Sequence, residues 1–213
     1  MPILYCHHES GHCYKIALAM SLMGIAFEQR PVDLNRVREL RRADFREVAR
    51  FDEVPVLVFD DGMAVCQSAT ILDTLAQRYG KLDGRSEIER VLVREWTSWE
   101  AYRLGMDISY LRLSRHFHQL DGAIEDWFLT RLCADLDRLN LHLQDRPFVA
   151  IDIPTIADVA CCGFMFWAHQ ADVDLDRWPA VEAWLLRLRA LPGWRAPHDL
   201  LEARYPILTG ARA

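Results

Sequence analysis

Residues 54–68 read VPVLVFDDGMAVCQS, and this stretch decides the fold. The run 54–59 is apolar and β-branched, which is typical of a buried strand. Asp61 and Gly62 then favour a tight turn, because glycine accepts the positive φ angle that hairpin turns need. With residues 63–66 returning antiparallel, the sequence predicts a β-hairpin.

The two ends of this hairpin carry groups that suit a peptide ligand. Proline cannot donate to a strand ladder, so Pro55 favours a cis Val54–Pro55 bond that leaves the backbone of Val54 pointing outward. An open strand edge pairs with the main chain of an extended peptide. Gln67 and Ser68 follow at a helix start, where free N–H groups and a hydroxyl favour a carboxylate. Together these features suit a small acidic peptide.

The segments before the hairpin alternate between strands and helices. The pattern predicts a strand over 3–5, a helix over 12–23, a second strand over 26–32 and a helix over 37–48. With the hairpin and the helix after it, the order is β-α-β-α-β-β-α. This order is typical of the thioredoxin-like fold.

The rest of the chain reads as helices alone. We predict an α/β domain over 1–80, a linker over 81–85 and an all-α domain over 86–205.

Within the all-α domain the pattern predicts one long helix from Ser86 and another over 123–143. A third helix is expected to begin at Thr155, with Asp158 completing a capping box.

Several ordered motifs resemble the cytosolic glutathione transferases. The hairpin matches their V-P-x-L segment, their acidic-glycine turn and their Gln-Ser or Glu-Ser helix start. The opening LYCHHESGHCYKIALAMSLMGIAFEQRPVDL, 4–34, is similar to bacterial members, in which S-G-N-x-Y-K is frequent. PTIADVA at 154–160 and RWPAVEAWLLRLRALPGW at 177–194 resemble the family's helical domain. The chain thus resembles a bacterial serine-type member of beta or tau kind, which implies a thioredoxin-like domain, a helical bundle and a homodimer.

Ser10 is the leading candidate for thiol activation. Residues 10–13, Ser-Gly-His-Cys, have the C-x-x-C spacing of thiol redox proteins with serine in the first place. Serine forms no disulfide, but its hydroxyl can donate a hydrogen bond to a thiolate at a helix N-terminus. The resemblance implies the same role, with glutathione supplying the thiol. The residues alone equally allow Ser10 to be an N-cap, and the two roles can coexist.

Two other residues are open candidates for that role. Tyr5 ends the first strand, where tyrosine-type transferases place a catalytic phenol. Cys13 would attack a mixed disulfide and make the protein a disulfide reductase, although its position one turn into the helix argues for burial. His12 replaces the family's common asparagine, and Lys15 matches the family pattern at a helix position that allows exposure to solvent.

The resemblance also implies the parts of a glutathione site. Val54, beside Pro55, would pair with the cysteinyl main chain, while Gln67 and Ser68 would hold the γ-glutamyl end.

The loop before Val54 departs from the family pattern. Relatives often carry N-P-x-G-[KQ] there, whereas this chain has ARFDE at 49–53. Asp52 and Glu53 would repel the glycine carboxylate of the ligand unless Arg50 or a residue of another chain compensates. Arg50 is therefore a candidate ligand-binding residue, and we expect glutathione affinity to be weakened.

The co-substrate site is expected between the domains. Trp99, Tyr102, Met106 and Tyr110 form an aromatic stripe that favours a small apolar electrophile, although such stripes more often belong to a core. The leading hypothesis is a cytosolic, homodimeric glutathione transferase of detoxification type. Isomerisation, dehalogenation, peroxide reduction and ether cleavage stay open, as do a non-enzymatic binding or regulatory protein and a reductase using Cys13.

Composition limits the partners. The chain has 213 residues, 51% hydrophobic content and a net charge of −6, which indicates a folded protein and disfavours nucleic acid as a partner. Neither a secretory signal nor a membrane span is predicted, and six cysteines without a C-x-x-C pair fit a reducing cytosol. His7, His8 and His12 match no metal-binding spacing, so no metal is expected.

Overall fold

A four-stranded mixed sheet underlies the first half of the molecule. The computed structural model describes residues 1–117 and 120–205. The strands are β1 (Ile3–Cys6), β2 (Glu28–Pro31), β3 (Val56–Val58) and β4 (Ala64–Cys66), in the spatial order β2-β1-β3-β4. β1 runs parallel to β2 and antiparallel to β3, and β3 pairs antiparallel with β4. The predicted hairpin is thus confirmed.

Three helices pack on this sheet: α1 (Gly11–Met23), α2 (Ala43–Val48) and α3 (Ser68–Tyr79). α1 is buried along most of its length, because α3 lies on one side of it and a helix of the second half lies on another. It ends at Gly24, whose φ of 72° is a left-handed conformation that glycine adopts without steric cost. The order of elements is that of the predicted thioredoxin-like domain.

The helix predicted over 37–48 is shorter than expected. A 3₁₀ turn at Arg38–Leu40 is followed by an extended Arg41, and α2 begins only at Ala43. The Arg41 guanidinium donates to the main-chain oxygen of Asp52 and pairs with its carboxylate at 3.0 Å. The contact between Arg41 and Asp52 thus occurs where the backbone of Arg41 is extended, although the sequence pattern there is helical.

Helices build the second half: α4 (Glu87–Tyr102), α5 (Leu104–Arg112), α6 (Gly122–Leu143), α7 (Ile156–Cys162), α8 (Pro179–Arg189) and α9 (Pro197–Leu200). The single helix predicted from Ser86 is two helices. Arg103 leaves helical geometry, with φ −118° and ψ −94°, and its guanidinium binds both carboxylate oxygens of Asp135 at 2.9 Å. Among the helices of the described residues, none is long and apolar enough to cross a membrane.

The start of α7 agrees with the sequence prediction. Oγ1 of Thr155 accepts from the Ala157 amide, and the Asp158 carboxylate accepts from the Thr155 amide at 2.8 Å. The same carboxylate accepts from the Val149 amide at 2.9 Å and from the Trp184 indole at 3.0 Å. Burial raises the pKa of Asp158 to about 6, although these donors oppose the shift. Asp158 therefore joins α7 to α8.

A buried ion pair joins the two halves of the molecule. Lys15 of α1 is 0% exposed, and its Nζ lies 2.5 Å from Oε1 of Glu100 on α4. The exposure that the sequence allows for Lys15 is therefore corrected. Two glycines leave room for the pair: a Cβ on Gly105 would overlap the Glu100 carboxylate, and one on Gly163 would overlap the Lys15 side chain. Each charge depends on the other, because an unpaired charge at this depth is strongly unfavourable.

Replacing Lys15 by Met is expected to lower the free energy of unfolding by about 3–5 kcal/mol, because the Glu100 carboxylate is then buried without a partner. Urea unfolding followed by tryptophan fluorescence measures this loss. The double variant Lys15→Met plus Glu100→Leu should regain most of it, since two apolar side chains need no partner. A loss below about 1 kcal/mol in the single variant would contradict this interdependence.

Candidate functional site

Ser10 stands at the N-terminus of α1, in the loop that follows β1. Its backbone is extended, with φ −91° and ψ 114°, and its Oγ accepts a hydrogen bond from the Cys13 amide at 3.3 Å. A hydroxyl that accepts from the helix keeps its own proton for a second partner. Ser10 is half-buried. An N-cap and a donor toward a ligand are therefore compatible here, at the positive end of the helix dipole.

Arg112 holds the loop that carries Ser10 from the helical half. At the end of α5, the Arg112 guanidinium donates to the main-chain oxygen of Glu9 at 2.5 Å and to its carboxylate at 2.6 Å. Its Nε donates to Gln170 at 2.6 Å, and its Cζ lies 4.7 Å from the Trp167 ring. Both members of this Glu9–Arg112 pair are buried. The sequence analysis did not predict this ion pair. The one sign of a buried arginine in the sequence is that Arg112 stands between two leucines.

Val54 presents an unpaired strand edge. The Val54–Pro55 peptide bond is cis, as the sequence predicts, and β3 begins only at Val56. In the described part of the chain, the main-chain N–H and C=O of Val54 have no hydrogen-bond partner. Two free groups on one residue match the main chain of an extended peptide.

Gln67 and Ser68 form the start of α3. Gln67 has a φ of 70°, and its side chain makes no cap hydrogen bond to the helix. Its Nε2 instead donates to Oε2 of Glu53 at 2.9 Å. The first amides of α3 therefore lack a side-chain cap and suit an anion.

His12 lies between the start of α3 and the buried ion pair. Its Nδ1 is 3.4 Å from Oγ of Ser68 and 3.4 Å from Nζ of Lys15. Burial and the Lys15 charge lower the pKa of His12 to about 3, so the ring is neutral at physiological pH. An ammonium only donates, which makes Nδ1 the acceptor and places the ring proton on Nε2. His12 is therefore a neutral acceptor behind Ser68.

The acidic loop at 49–53 is neutralised in part, but by another residue than expected. Asp52 pairs with Arg41 at 3.0 Å. Arg50, the residue predicted to compensate this acid, is exposed and donates to the main-chain oxygen of Ala64 at 3.3 Å. Arg41 thus forms the ion pair that the sequence assigns to Arg50 or to a residue of another chain.

The two rivals of Ser10 are both buried. Cys13 is 0% exposed, its Sγ accepts from the His7 amide at 3.4 Å, and burial raises its pKa to about 12. The Tyr5 hydroxyl accepts from the Arg30 guanidinium at 3.1 Å, and burial raises the pKa of Tyr5. Neither a neutral, enclosed thiol nor an enclosed phenol suits the activation of a ligand thiol.

The residues predicted for the co-substrate site lie on two helices, α4 and α5. Tyr102, in the last turn of α4, is 70% exposed. Trp99 packs edge to face against Trp96, with ring centroids 5.1 Å apart, and Met106 packs against the main core. The break at Arg103 separates the stripe into two helices, so its helical spacing does not continue.

Tyr110 belongs to the contact between α5 and α6. Its ring stacks on Phe128, with centroids 4.9 Å apart and planes at 6°. Residues two apart on a helix point about 200° apart. Since Arg112 faces the loop at Glu9, Tyr110 points away from that loop.

The histidines after β1 stack because the chain turns there. The rings of His7 and His8 lie 4.7 Å apart, and burial lowers the pKa of His7 to about 4. Within residues 1–117 and 120–205, no group of three or more His, Cys, Asp or Glu side chains is placed to hold a metal ion.

A surface cavity of about 630 Å³ lies between the 3₁₀ helix Met165–Ala171 and α8. None of the predicted site residues lines it, so it is separate from the groups around Ser10.

This chain is similar to a known domain family and to known proteins, among them the following three. The glutathione S-transferase N-terminal domain matches residues 9–78. The glutathione S-transferase-like protein LUC7 of Fusarium sp is 30% identical over 193 residues, covering 86% of this chain and 86% of that protein. The disulfide-bond oxidoreductase YfcG of Escherichia coli K12 is 26% identical, covering 90% of this chain and 91% of that protein. A crystal structure of a glutathione S-transferase from Xanthobacter autotrophicus Py2 has a TM-score of 0.83 at 33% identity, covering 94% of this chain and 98% of that one.

Cys13 is expected to resist alkylation in the folded protein, because its thiol is buried and protonated. Iodoacetamide near neutral pH, read by mass spectrometry, should label the partly exposed Cys133 well before Cys13. Urea-unfolded protein, in which all six cysteines react, is the control. Equal labelling rates for Cys13 and Cys133 in the folded protein would show an accessible thiolate and favour the Cys13 reductase hypothesis.

Proposed function

Since the chain belongs to the glutathione S-transferase family, we propose that it binds reduced glutathione and that Ser10 activates the glutathione thiol for attack on a small electrophile. The observation that carries this proposal is the Ser10 hydroxyl, which caps α1 and keeps its proton for a ligand. Catalysis is then thiol activation combined with positioning.

The ligand is proposed to lie along the hairpin edge. The free N–H and C=O of Val54 pair with the cysteinyl main chain beside Pro55. Gln67, Ser68 and the first amides of α3 take the γ-glutamyl end. This arrangement directs the ligand sulfur toward Ser10.

The proposed activation is adequate in magnitude. Lowering a thiol pKa from about 8.5 by two units takes roughly 2.7 kcal/mol. One hydrogen bond to an anion supplies about 1.5–3 kcal/mol, and the helix terminus adds up to about 1 kcal/mol. The Glu9–Arg112 pair supports this, because a loop that is already ordered gives up little conformational freedom when it binds the thiolate.

The co-substrate is proposed to be a small apolar electrophile that approaches from the helical half. Phe164 supports this class, since its ring lies edge to face against His12 with centroids 4.9 Å apart, next to the N-terminus of α1. We also propose that the protein serves detoxification and acts in the cytosol.

Disulfide reduction is a second candidate, because the relative named a disulfide-bond oxidoreductase covers most of the chain. The glutathione thiolate at Ser10 would attack one sulfur of a disulfide, forming a mixed disulfide and releasing the other sulfur as a thiolate. A second glutathione then completes the reduction. The burial of Cys13 argues against its taking part.

We further propose a homodimer that uses α4. Ile88, Val91 and Leu92 are 75%, 50% and 37% exposed. Their spacing of three and four residues places them on one face of the helix, and an exposed apolar face of this kind favours association.

Ser10→Ala is expected to raise the pKa of the bound glutathione thiol by about one to two units and to lower turnover by about ten- to a hundredfold. Glutathione affinity should change little, because Val54 and α3 are untouched. Thiolate absorbance against pH, steady-state kinetics and titration calorimetry measure the three quantities. Tyr5→Phe, which also removes one hydroxyl, is the control. Unchanged thiol pKa and turnover in Ser10→Ala, with binding intact, would reject Ser10 as the activating residue.

Ile88→Asp is expected to convert the dimer to a monomer, because it buries a charge at the proposed interface. Size-exclusion chromatography with light scattering measures the mass. Leu141→Asp is the matched control, since Leu141 is 69% exposed on α6. A monomeric wild type would reject the proposed dimer.

A further inference from the structure

The surface cavity between the 3₁₀ helix Met165–Ala171 and α8, called the α8 cavity below, has an apolar floor. Met165, Val173 and Leu185 line it and are buried, whereas Leu186 lines it and is exposed. Its volume of about 630 Å³ lies within the range of about 300–1,000 Å³ that is usual for pockets that hold small organic molecules. The α8 cavity therefore has room for the apolar body of a small ligand.

Acidic side chains dominate the charge of the α8 cavity. Its lining carries three carboxylates, those of Asp172, Asp174 and Glu182, against one guanidinium, that of Arg189. All four residues are exposed. A cleft with apolar walls and mainly one sign of charge focuses the electric field at its mouth and raises the local concentration of counter-ions. The α8 cavity is therefore expected to attract cations.

The protein itself neutralises little of this negative charge. Among the described residues, no cationic side chain forms an ion pair with Glu182 or Asp174, and Oδ1 of Asp174 accepts only from the Asp176 amide, at 3.1 Å. Asp172 comes no closer than 3.9 Å to Nη1 of Arg115. The carboxylates of the α8 cavity thus remain available to a cation from outside.

Arg189 does not serve as the internal counter-ion. Its Cζ lies 5.2 Å from the centroid of the Phe166 ring, whose face attracts cations. Arg189 follows Glu182 by seven residues on α8, which separates the two by about 10 Å along the helix axis. The guanidinium and the Glu182 carboxylate therefore stand at opposite ends of the α8 cavity.

We propose that the α8 cavity binds a small amphipathic organic cation. The ammonium group of this ligand faces the carboxylates of Asp172 and Glu182, and its apolar body lies on the floor beside Leu186. Charge complementarity sets the class of ligand, because an anion with the same apolar body is repelled and a neutral one gains no ion pair. The proposal does not depend on the proposed function.

The 3₁₀ helix separates the α8 cavity from the Ser10 loop. His169 lines the α8 cavity, whereas its neighbour Gln170 does not and accepts from Nε of Arg112 at 2.6 Å. Trp167, which also stays outside the lining, contacts the same guanidinium. A ligand in the α8 cavity is therefore expected to bind independently of a ligand at Ser10.

Three probes with one apolar body and different head groups test this inference. The probes are 4-phenylbutylamine, 4-phenylbutan-1-ol and 4-phenylbutanoate, which are cationic, neutral and anionic at neutral pH. Titration calorimetry at low ionic strength measures their affinities. The wild type is expected to bind the amine about fivefold more tightly than the alcohol and to bind the carboxylate most weakly.

Three variants locate the binding site of the amine. Asp172→Asn plus Glu182→Gln keeps the size of both side chains, and asparagine tolerates the φ of 50° at residue 172. This cavity variant should bind the amine no better than the alcohol, with its affinity for the alcohol unchanged. Asp126→Asn plus Asp145→Asn, the control variant, removes two exposed acids outside the lining and should keep the preference. Leu186→Ser should weaken amine and alcohol by a similar factor, because it removes part of the apolar wall.

Several outcomes would overturn the inference. Equal affinities of the wild type for amine and alcohol would reject the role of the carboxylates. An unchanged preference in the cavity variant would place the amine elsewhere, and an equal loss in the control variant would assign the preference to the net charge of the protein. Loss of amine binding in the presence of saturating glutathione would place the amine at the Ser10 site. Absence of binding of all three probes would reject the α8 cavity as a site, and none of these results decides whether Ser10 activates a thiol.

Discussion

Two charges buried away from water govern how the molecule is assembled. The Lys15 ammonium and the Glu100 carboxylate can be buried only together, and they belong to α1 and α4. Because Ser10 is the N-cap of α1, this constraint also sets where the Ser10 hydroxyl lies. The Glu9–Arg112 pair applies the same principle to the adjacent loop, which it joins to α5. The position of Ser10 in the candidate site thus depends on two buried ion pairs between the two halves of the molecule.

The groups that would meet a ligand come from short, local pieces of chain. Val54 owes its free edge to the proline that follows it, and the start of α3 owes its free amides to a Gln67 side chain turned toward Glu53. Local geometry supplies these donors and acceptors, whereas contacts between residues far apart in the sequence hold them in position. In the proposed site the hairpin would recognise the ligand, and the helical half stabilises the Ser10 loop through Arg112.

Patterns that depend on neighbouring residues could be predicted from the sequence. The hairpin over 54–68 followed from turn residues and β-branched runs, and the α7 start followed from Thr155 and Asp158. What could not be predicted depends on partners far along the chain. Lys15 and Glu100 are 85 residues apart, and helical periodicity carries no information about such a partner. For the same reason the aromatic stripe predicted on one helix lies on two, α4 and α5, with a break at Arg103, which binds Asp135 from α6.

Support for the Ser10 loop comes from Arg112, a residue 103 positions after Glu9. The thioredoxin-like half alone would therefore keep the open strand edge at Val54. It would lack Arg112, the residue that holds the Ser10 loop in place. Substitutions in α5 can then change the position of Ser10 without altering a residue of the proposed peptide site. In evolutionary terms, the support of the Ser10 loop and the proposed peptide site are encoded in separate parts of the gene, so one can diverge while the other is inherited.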